Sequence, residues 1–529
     1  MTHIRHPRQG VSRRRLLQAA AGLPLLAACH DSTPLRPESA EQRVFQHGVA
    51  SGDPLADRVI LWTRISAAQA PATVRWEVYR DPFLTLRVTQ GEGEVSGDSD
   101  GCYKVDVSGL DAGRTYYYRF LALDQVSPTG RTRTLPRGAV ERLRLAVCSC
   151  AYLPDEPGTR FHNAYGQIAQ RADLDAVLHL GDYVYADSDL SLAEYRARHA
   201  QYKAQSAELR EAHRQHPFIT VWDDHETTDN CWQDGGYQPP DKPLIPFAER
   251  KQNAMRAYHE WLPIRTPDPA DLGRIWRSFD FGDLLTVVAP ETRLHARAAQ
   301  AYSFNRVGSP IAGAEGRELL GAEQMDWLRG TLRAAPTQWK LFMNPVQIGQ
   351  LYAGLPDEEG GGTRYRNMDQ WDGYAAERGR LFDILDGADG GAPVQDLIFM
   401  TGDWHCQFAN DVLRAPYGAA YRERGEGVLG TEFTIPCVSS GLEGYEPAEL
   451  FAANPHFKNH EFPARHGHAL VDLRRDTATV EFWHTDTVET REHRYRLNVG
   501  FPLTAGANRI GELLRTPTPT NTEAPSLAP

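Results

Sequence analysis

The sequence predicts an α/β protein in which a small all-β domain precedes a larger layered domain. Residues 43–137 contain short segments rich in aromatic and β-branched residues, separated by Gly, Asp and Pro turns: VILWTRI, TVRWEVY, CYKVDV and TYYYRF. This pattern is typical of a small β-sandwich. Over residues 140–500 short apolar runs alternate with longer amphipathic stretches such as 191–216, which predicts a layered α/β domain. The last residues, 515–529, are rich in Pro and Thr and are predicted to be disordered.

The composition is that of a globular protein with a surplus of acidic residues. The 529 residues are 41% hydrophobic and 24% charged, and the formal net charge is −12. At about 150 residues a domain, this length calls for two or more domains. A nucleic-acid partner would require a basic patch, so the charge balance argues against one and suits a protein that binds cations.

Residues 1–29 are predicted to be an export signal. The segment SRRRLLQ at 12–18 resembles a twin-arginine signal, and the apolar run 16–28 is too short to span about 30 Å of hydrocarbon. The run ends in LAAC, which resembles a lipoprotein cleavage site with Cys29 as the lipid-bearing residue. Ordinary cleavage without a lipid is the alternative. We therefore expect passage through the twin-arginine export machinery to the periplasm, the cell surface or the medium.

Six cysteines follow Cys29, and their spacing shows no small-domain disulfide framework. Disulfides are the ordinary use of cysteine in an exported protein. The sequence contains no Cys-x-x-Cys pair, however, and Cys148 and Cys150 are too close for an ordinary bridge. We expect Cys148 to lie in the core and at least one other thiol to have a different role.

Six predicted strands of the larger domain end in polar residues unlike ordinary loop residues. The strands are LRLAV, DAVLHL, PFITVW, LLTVVA, WKLFM and LIFMT. The polar residues that follow them are Cys150, Asp182, Tyr185, Asp224, His225, Arg293, Asn344, Asp403 and His405. Because ligands bind beyond the carboxyl ends of strands in α/β sheets, these residues are expected to form one site.

Each of these residues also has a purely structural interpretation when it is considered alone. Asp182 could shape a turn after Gly181, and Asp224 could cap the next helix. Cys150 and Tyr185 could be core residues, as free cysteines and aromatic residues often are. The recurrence of such residues at six strand ends favours a functional site over six separate structural roles.

The chemistry of this set of residues suits metal ions. Anionic oxygens favour hard cations, whereas a thiolate favours a transition metal. A thiolate and a phenolate beside a carboxylate suit ferric iron, whose charge keeps both ligands anionic. An Asp shared with a second metal would place two cations about 3.5–4 Å apart, an arrangement that can clamp a phosphoryl group and generate hydroxide from water. The sequence has no Walker A loop, no HExxH motif, and no dinucleotide-binding glycine motif after the first strand of the α/β domain.

Several longer motifs resemble the PhoD-like alkaline phosphatases of the calcineurin-like metallophosphoesterase superfamily. They are GDYVY, VWDDHE, WDGYAAERGRL at 371–381 and TGDWHCQFAND at 401–411. Residues 45–65 are similar to the family's N-terminal β-domain, and 430–441 to its C-terminal segment. The resemblance covers residues 43–490. It implies a two-sheet αββα core, with metals at the strand ends, that works with Fe³⁺ and one or two Ca²⁺.

The resemblance also implies roles for the nine residues at the strand ends. The implied metal ligands are Cys150, Asp182 as the bridge, Tyr185 on iron, Asp224 and Asn344 on the second metal, Asp403 and His405. The implied catalytic residues are His225, as the acid that protonates the leaving group or as a group that holds the phosphate, and Arg293.

The sequence departs from the family pattern at three places, one of which is the added thiol of Cys148, two residues before Cys150. Glu291 stands where the family has Asp before Thr-Arg, so a salt bridge is expected to shift. The segment after DDHE is also unusual, and Asp229 or Asn230 is a candidate for binding Ca²⁺.

The predicted function is hydrolysis of phosphomonoesters, phosphodiesters or both by a metal-bound hydroxide, outside the cytoplasm. The sequence leaves the choice of ester open. The alternatives are a phospholipase-type phosphodiesterase and a non-catalytic, metal-stabilised binding protein at the cell surface. The second alternative predicts a broken set of ligands, and the set in this sequence is intact.

Overall fold

A computed structural model describes residues 44–65, 71–300, 304–306, 311–352, 365–444 and 447–529. The predicted export signal at 1–29, including Cys29, lies outside these residues. Among the helices of the described ranges, none has the length and apolarity needed to cross a membrane.

The described residues form 23 strands, several of them short. In chain order they are β1 (Val49–Gly52), β2 (Arg58–Arg64), β3 (Ala72–Tyr79), β4 (Arg87–Val95), β5 (Cys102–Ser108), β6 (Thr115–Ala122), β7 (Gln125–Val126), β8 (Gly130–Arg133), β9 (Arg142–Cys148), β10 (Ala176–His179), β11 (Pro217–Thr220), β12 (Arg277–Phe281), β13 (Leu285–Ala289), β14 (Phe304–Arg306), β15 (Trp339–Asn344), β16 (Tyr365–Asn367), β17 (Leu397–Thr401), β18 (Phe408–Leu413), β19 (Val428–Thr434), β20 (Phe457–His460), β21 (Gly467–Arg474), β22 (Thr477–Thr485) and β23 (Tyr495–Thr504).

Eight α-helices lie between these strands in the described ranges. They are α1 (Asn163–Ala169), α2 (Leu192–Gln205), α3 (Ala207–Gln215), α4 (Phe247–Trp261), α5 (Gly321–Ala334), α6 (Ala375–Asp386), α7 (Ala419–Arg424) and α8 (Pro447–Ala453).

Two large sheets face each other and form the centre of the molecule. The first has the order β23-β22-β21-β9-β10-β11-β1-β2-β5, and the second the order β12-β13-β15-β17-β19-β18-β20. Apolar residues of both sheets, including Leu145, Leu178, Val287 and Leu341, share one buried core. A second core lies between α1–α4 and the outer face of the first sheet, and a third between α5, α6 and the second sheet. The layers therefore follow the order helices, sheet, sheet, helices.

All six apolar runs singled out in the sequence are strands, and their arrangement is regular. β9, β10 and β11 are parallel neighbours in the first sheet. β13, β15 and β17 are parallel neighbours in the second sheet. Parallel neighbours end at the same edge of a sheet, so the polar residues that follow these strands come together at one end of the two-sheet core.

The N-terminal region is all-β, but it differs from the separate sandwich expected over residues 43–137. One of its layers is the small sheet β4-β3-β6-β7, with β8 paired to β6. The other layer consists of β1, β2 and β5, which belong to the first large sheet because β1 pairs in parallel with β11. Ser51 and Gly52 lie opposite Pro217 and Phe218 in this pairing. The N-terminal strands therefore extend the sheet that carries the candidate site.

The amphipathic stretch at 191–216 forms two helices rather than one. Ser191 opens α2 with a capping box, in which its side chain and that of Glu194 each bind the other residue's backbone N–H. Ser206 then ends α2 and caps α3, because its Oγ accepts a hydrogen bond from Leu209 N at 3.1 Å. The ring of the buried His162 bonds the same oxygen at 2.9 Å. The break therefore comes from local capping within a continuous helical pattern.

Residues 515–529, expected to be disordered, lie along the body of the protein. The backbone of Ala528 and the side-chain amide of Gln215 exchange two hydrogen bonds of 2.8 and 3.1 Å. Arg144 donates to Thr518 Oγ1 at 2.9 Å, and Tyr117 donates to Ser526 O at 2.5 Å. Gln215, Arg144 and Tyr117 are buried, so the tail supplies hydrogen-bond partners that these side chains need. The composition of the tail does not predict these contacts.

Deleting residues 515–529 is expected to lower the free energy of unfolding by several kcal/mol. Each buried polar group that loses its partner costs about 1–3 kcal/mol, and Gln215, Arg144 and Tyr117 all lose one. Urea unfolding of the full chain and the truncated chain measures the difference. Thr522→Ala is the control, because Thr522 is exposed. A truncated chain as stable as this control would mean that the tail is not bound.

Candidate metal centre

The ends of five strands bring predicted residues together at one end of the two-sheet core. Cys150 follows β9, Asp182 follows β10, and Asp224 follows β11 in the first sheet. Arg293 follows β13, and Asp403 follows β17, in the second. Asp182 and Asp224 are buried, and Asp403 and His405 are only partly covered. One side of the cluster is therefore open to solvent, as a site for a diffusing substrate must be.

Four of the predicted metal ligands have a backbone conformation that side chains rarely adopt. The φ angles are 58° at Cys150, 54° at Asp182, 61° at Asp403 and 50° at His405. A residue other than glycine in this region costs about 1–3 kcal/mol, and such residues concentrate at functional sites. This strain turns the side chains at four loop positions towards the cluster, which an ordinary turn would not require.

The first group of potential ligands consists of Cys150, Asp182 and His405. Their Sγ, carboxylate and ring-nitrogen atoms all lie within 4.8 Å of one another. The phenol oxygen of Tyr185 joins them, at 3.1 Å from Asp182 Oδ2 and 3.1 Å from His405 Nε2. A thiol, a phenol, a carboxylate and an imidazole therefore meet at one point, as the sequence predicts.

Two further groups share residues with the first and with each other. Asp182 lies with Asp224 and His225, and Asp224 lies with Asp223 and Asp403, in each case within 4.8 Å. Asp182 thus belongs to two groups, which is the arrangement expected of a bridging carboxylate. Asp223 is not among the predicted ligands, although it directly precedes Asp224 in the VWDDHE motif.

Two buried carboxylate oxygens at the centre have no hydrogen-bond donor among the described residues. They are Asp182 Oδ1 and Asp224 Oδ1. An unsatisfied buried carboxylate oxygen is costly, and a cation is the usual partner for one. The carboxylate and phenol oxygens suit a hard divalent or trivalent cation, and the thiol is the softer ligand of the set.

The shifted pKa values of the buried groups also indicate a cation at this centre. Burial, together with the nearby charges of Asp224 and Asp223, raises the pKa of Asp182 well above its usual value, although the charge of His225 opposes the shift. Burial also raises the pKa of the Cys150 thiol, and so does the charge of Asp182. A cation among these groups would reverse both shifts, because it favours the anionic forms.

Arg293 is the positive charge that holds the carboxylates in place. Its side chain is fully buried, and its Nε donates to Asp223 Oδ1 at 2.6 Å and its Nη1 to Asp369 Oδ1 at 2.8 Å. Asp403 and Asp224 lie 3.5 and 3.8 Å from its Nη2. Arg293 therefore orients the acidic groups behind the candidate ligands. Among the described residues, no direct contact ties it to Cys150, Tyr185 or His405.

Glu291, one of the departures from the family pattern, forms no ion pair with the guanidinium group of Arg293. Its carboxylate accepts hydrogen bonds from Trp222 Nε1 at 2.7 Å and from the backbone N–H groups of Arg293, Leu294 and His295. The longer side chain thus fixes the loop that carries Arg293, and Asp223 supplies the ion pair.

His225 is held by a residue that the sequence analysis missed. Its Nδ1 lies 2.7 Å from Asp187 Oδ1, and its ring stacks on Tyr185 with centroids 4.1 Å apart. Asp187 also accepts a hydrogen bond from Asp229 N at 2.7 Å. The Nε2 atom of His225 is left as the nitrogen that can face a ligand. Asp187 lies five residues after Asp182, a spacing that carries no familiar motif.

Four other residues singled out in the sequence have contacts of their own in the described structure. The amide of Asn344 donates to Thr401 Oγ1 at 3.4 Å and accepts from Trp371 Nε1 at 3.1 Å, so both ends are engaged. Asn230 contributes its backbone N–H to Asp224 Oδ2 at 2.6 Å, and the carboxylate of Asp229 accepts from the Asn230 amide. Cys148, the last residue of β9, is buried in the core between the first sheet and its helices, as expected.

Comparison with known proteins identifies the family. Residues 145–482 match the family described as PhoD-like phosphatase, and residues 29–136 match the N-terminal domain of PhoD-like phosphatases. The chain belongs to the PhoD-like phosphatases. Alkaline phosphatase D of Bacillus subtilis (strain 168) is 29% identical over 451 residues, which cover 78% of this chain and 73% of the relative.

Two solved structures extend this PhoD-like assignment to the fold. A structure of PhoD matches with a TM-score of 0.79 at 26% identity and covers 92% of this chain and 95% of that chain. A purple acid phosphatase, PPD1 from yellow lupin (Lupinus luteus) seeds, matches with a TM-score of 0.53 at 13% identity over 88% of this chain and 73% of that chain. As a PhoD-like phosphatase, the chain is a phosphoester hydrolase with metal cofactors, and the ligand groups described above are the candidates for holding them.

Replacement of Gly181 by Ala is expected to disturb the centre of the site in this PhoD-like phosphatase. Gly181 has a φ of +105°, and a Cβ there would lie 2.5 Å from both N and Cβ of Asp223. Gly181→Ala should therefore lower the free energy of unfolding by at least about 1–3 kcal/mol and reduce the bound metal, because Asp182 and Asp223 are both displaced.

Urea unfolding and metal analysis of the purified variants measure these effects. Gly330→Ala is the matched control, because Gly330 lies within α5 and a Cβ there meets no atom within 4 Å. Alanine should be neutral or stabilising in that helix. Equal behaviour of the two variants would show that the approach of Gly181 to Asp223 does not position the ligands.

Proposed function

We propose that this chain is an exported hydrolase of phosphomonoesters, phosphodiesters or both, working with Fe³⁺ and one or two Ca²⁺. The observation that carries the proposal is the meeting of Cys150, Asp182, Tyr185 and His405 beside two buried carboxylate oxygens that have no donor among the described residues. The alternative, a non-catalytic, metal-stabilised binding protein, predicts a broken set of ligands instead. The family assignment adds phosphoester hydrolysis as its chemistry.

The candidate ligands fall into two sets, one suited to each cation. Cys150 and Tyr185 supply the thiolate and the phenolate that suit Fe³⁺, with His405 beside them. Asp224 and Asp403 supply the oxygens that suit Ca²⁺, and Asp182 serves both. Asn344 stays a prediction, because the described contacts already account for both ends of its amide. When bound, the two cations supply charge for the phosphoryl oxygens and lower the pKa of a water molecule.

His225 is the proposed proton donor to the leaving oxygen. Asp187 holds its Nδ1 at 2.7 Å, which orients the ring and leaves Nε2 for the substrate. The ring stacks on Tyr185, so the donor is fixed relative to the iron ligands. Arg293 acts from behind by holding Asp223 and, through longer contacts, Asp224 and Asp403. It is a positioning residue, because the acidic side chains around it engage its guanidinium.

Export by the twin-arginine route is the second part of the proposal. The SRRRLLQ segment and the short apolar run behind it support this route. Folding before export would allow the buried metal site to be assembled first. The LAAC sequence supports lipid attachment at Cys29, which would keep the enzyme at the cell surface.

Cys150→Ala and Tyr185→Phe are each expected to lose iron and at least about tenfold in turnover, because loss of even an outer partner of a metal ligand costs about 10–100-fold. Hydrolysis of nitrophenyl phosphate and bis-nitrophenyl phosphate, with iron and calcium determined on the same samples, measures this. The preferred ester of the wild type decides between monoesterase and diesterase.

Cys148→Ala is the matched control for the thiol. Cys148 is equally buried but points into the core, with its Sγ near Leu178 O at 3.7 Å. The Cys148→Ala variant should keep its iron and its visible absorption, which arises from thiolate and phenolate bound to ferric iron. Retention of iron in Cys150→Ala and Tyr185→Phe alike would overturn the assignment of these ligands.

Replacing Arg13 and Arg14 by Lys is expected to block export, because the twin-arginine pathway reads that pair. The uncleaved precursor should accumulate in the cytoplasm, as measured by fractionation and immunoblotting in a bacterial host. Arg5→Lys and Arg8→Lys, outside the motif, are the controls. Undiminished export of the Arg13→Lys, Arg14→Lys variant would exclude the proposed route.

A further inference from the structure

Ser440 contacts a candidate iron ligand, and the proposed reaction assigns it no role. It follows β19, which lies parallel to β17 and ends at the same edge of the second sheet. Its side chain is 1% exposed, and its Oγ lies 2.5 Å from the phenol oxygen of Tyr185. A further strand end therefore contributes a side chain to the metal centre.

Backbone contacts hold Ser440 in this position. Its N–H and the N–H of Ser439 both donate to Cys150 O, at 3.3 and 3.2 Å. Its own carbonyl oxygen accepts a hydrogen bond from His466 Nε2 at 2.8 Å. Ser440 is thus fixed to the backbone of one candidate iron ligand, and its hydroxyl group faces the side chain of another.

The hydroxyl group of Ser440 has one proton and two oxygens that could accept it. The phenol oxygen of Tyr185 is 2.5 Å from Oγ, and Cys150 O is 2.9 Å from it. The backbone N–H of Tyr152 donates to Oγ at 3.3 Å and occupies one of its two acceptor positions. When Tyr185 keeps its proton, Ser440 can donate to Cys150 O and accept from the phenol.

Binding of Tyr185 to a metal ion changes this choice. A metal-bound phenolate has no proton, so its oxygen only accepts hydrogen bonds. Asp182 Oδ2 and His405 Nε2 each lie 3.1 Å from that oxygen, but both are candidate metal ligands and carry no proton in that role. The hydroxyl group of Ser440 is then the donor to the phenolate.

The distance between the two oxygens suits this hydrogen bond. A hydroxyl donor and an anionic oxygen acceptor usually lie about 2.5–2.7 Å apart. Turning the hydroxyl group from Cys150 O to the phenolate moves only a hydrogen atom, and Cys150 O keeps its two backbone N–H donors. We propose that Ser440 is a positioning residue that stabilises the iron-bound phenolate of Tyr185 by donating this hydrogen bond. The inference rests on the iron assignment in the proposed function.

The hydrogen bond affects the electrons of the phenolate, which a purely structural role would not. Donation from Ser440 lowers the energy of the filled phenolate orbital. Without the donor, that orbital rises towards the d orbitals of Fe³⁺, so the charge-transfer band moves to longer wavelength. Iron should also bind less tightly, because the anionic ligand has lost a partner.

Ser440→Ala tests the proposal in the iron-loaded, full-length protein. Its visible band is expected at longer wavelength than that of the wild type, and its iron affinity, measured with a competing chelator, should fall about 10–100-fold. If Ser440→Ala binds no iron, Ser440→Thr decides, because it keeps the hydroxyl group. Iron with a wild-type band in Ser440→Thr would support the hydrogen bond, and loss of iron in this variant too would overturn it.

Ser439→Ala is the matched control. Ser439 is equally buried, and its Oγ donates to Tyr152 O at 2.8 Å instead of to a candidate ligand. This variant should keep the wild-type band and the wild-type iron affinity. Equal bands in Ser439→Ala and Ser440→Ala would overturn the role of Ser440 while the iron assignment stands. A band that survives unchanged in Tyr185→Phe would overturn the iron assignment itself, and the role of Ser440 with it.

Discussion

The rest of the site depends on a buried excess of negative charge around Arg293. Asp182, Asp223, Asp224, Asp369 and Asp403 lie close together, and the guanidinium groups that pair with them belong to Arg293 and Arg297. When all five carboxyl groups are ionised, two guanidinium groups leave three of their charges without an arginine partner in a buried place, and His225 is the other basic group beside Asp182 and Asp224. Such a cluster is unfavourable by itself, as the raised pKa values of Asp182 and Asp403 show, both caused first by burial and then by neighbouring carboxylates. Cations at the unpaired oxygens of Asp182 and Asp224 would neutralise this excess of negative charge and would also give both oxygens a partner.

The fold supports this cluster from several sides. Two sets of three parallel strands end at the same place, and the candidate ligands Cys150, Asp182, Asp403 and His405 have left-handed backbone there. The N-terminal strands continue the same sheet through β1 and β11. The buried Asp53, just after β1, pairs with Arg277 at 2.9 Å, and Arg277 in turn donates to Thr220 O at 2.8 Å, three residues before Asp223. The N-terminal region is thus part of the scaffold of the site.

The sequence predicts the parts of this arrangement that depend on local patterns. The apolar runs predict the six strands and the layered fold. The polar residues directly after each run predict the candidate ligands. The partners depend on tertiary contacts and could not be predicted: Asp187 meets His225 from 38 residues away, and Asp369 meets Arg293 from 76 residues away. The pairing of β1 with β11 and the binding of the tail to Gln215 are also long-range, so neither follows from the composition of the N-terminal segment or of the tail. The split between α2 and α3 is local, but a single serine decides it.

X-ray absorption at the iron edge of the purified protein tests the central claim most directly. The claim is that a thiolate and a phenolate from two neighbouring strand ends bind the same metal, with Asp182 between them. The account predicts iron with one sulfur ligand, and loss of that sulfur in Cys150→Ala but not in Cys148→Ala. Iron surrounded by oxygen and nitrogen ligands alone in the wild type, or protein that binds no iron when it is supplied during folding, would contradict it.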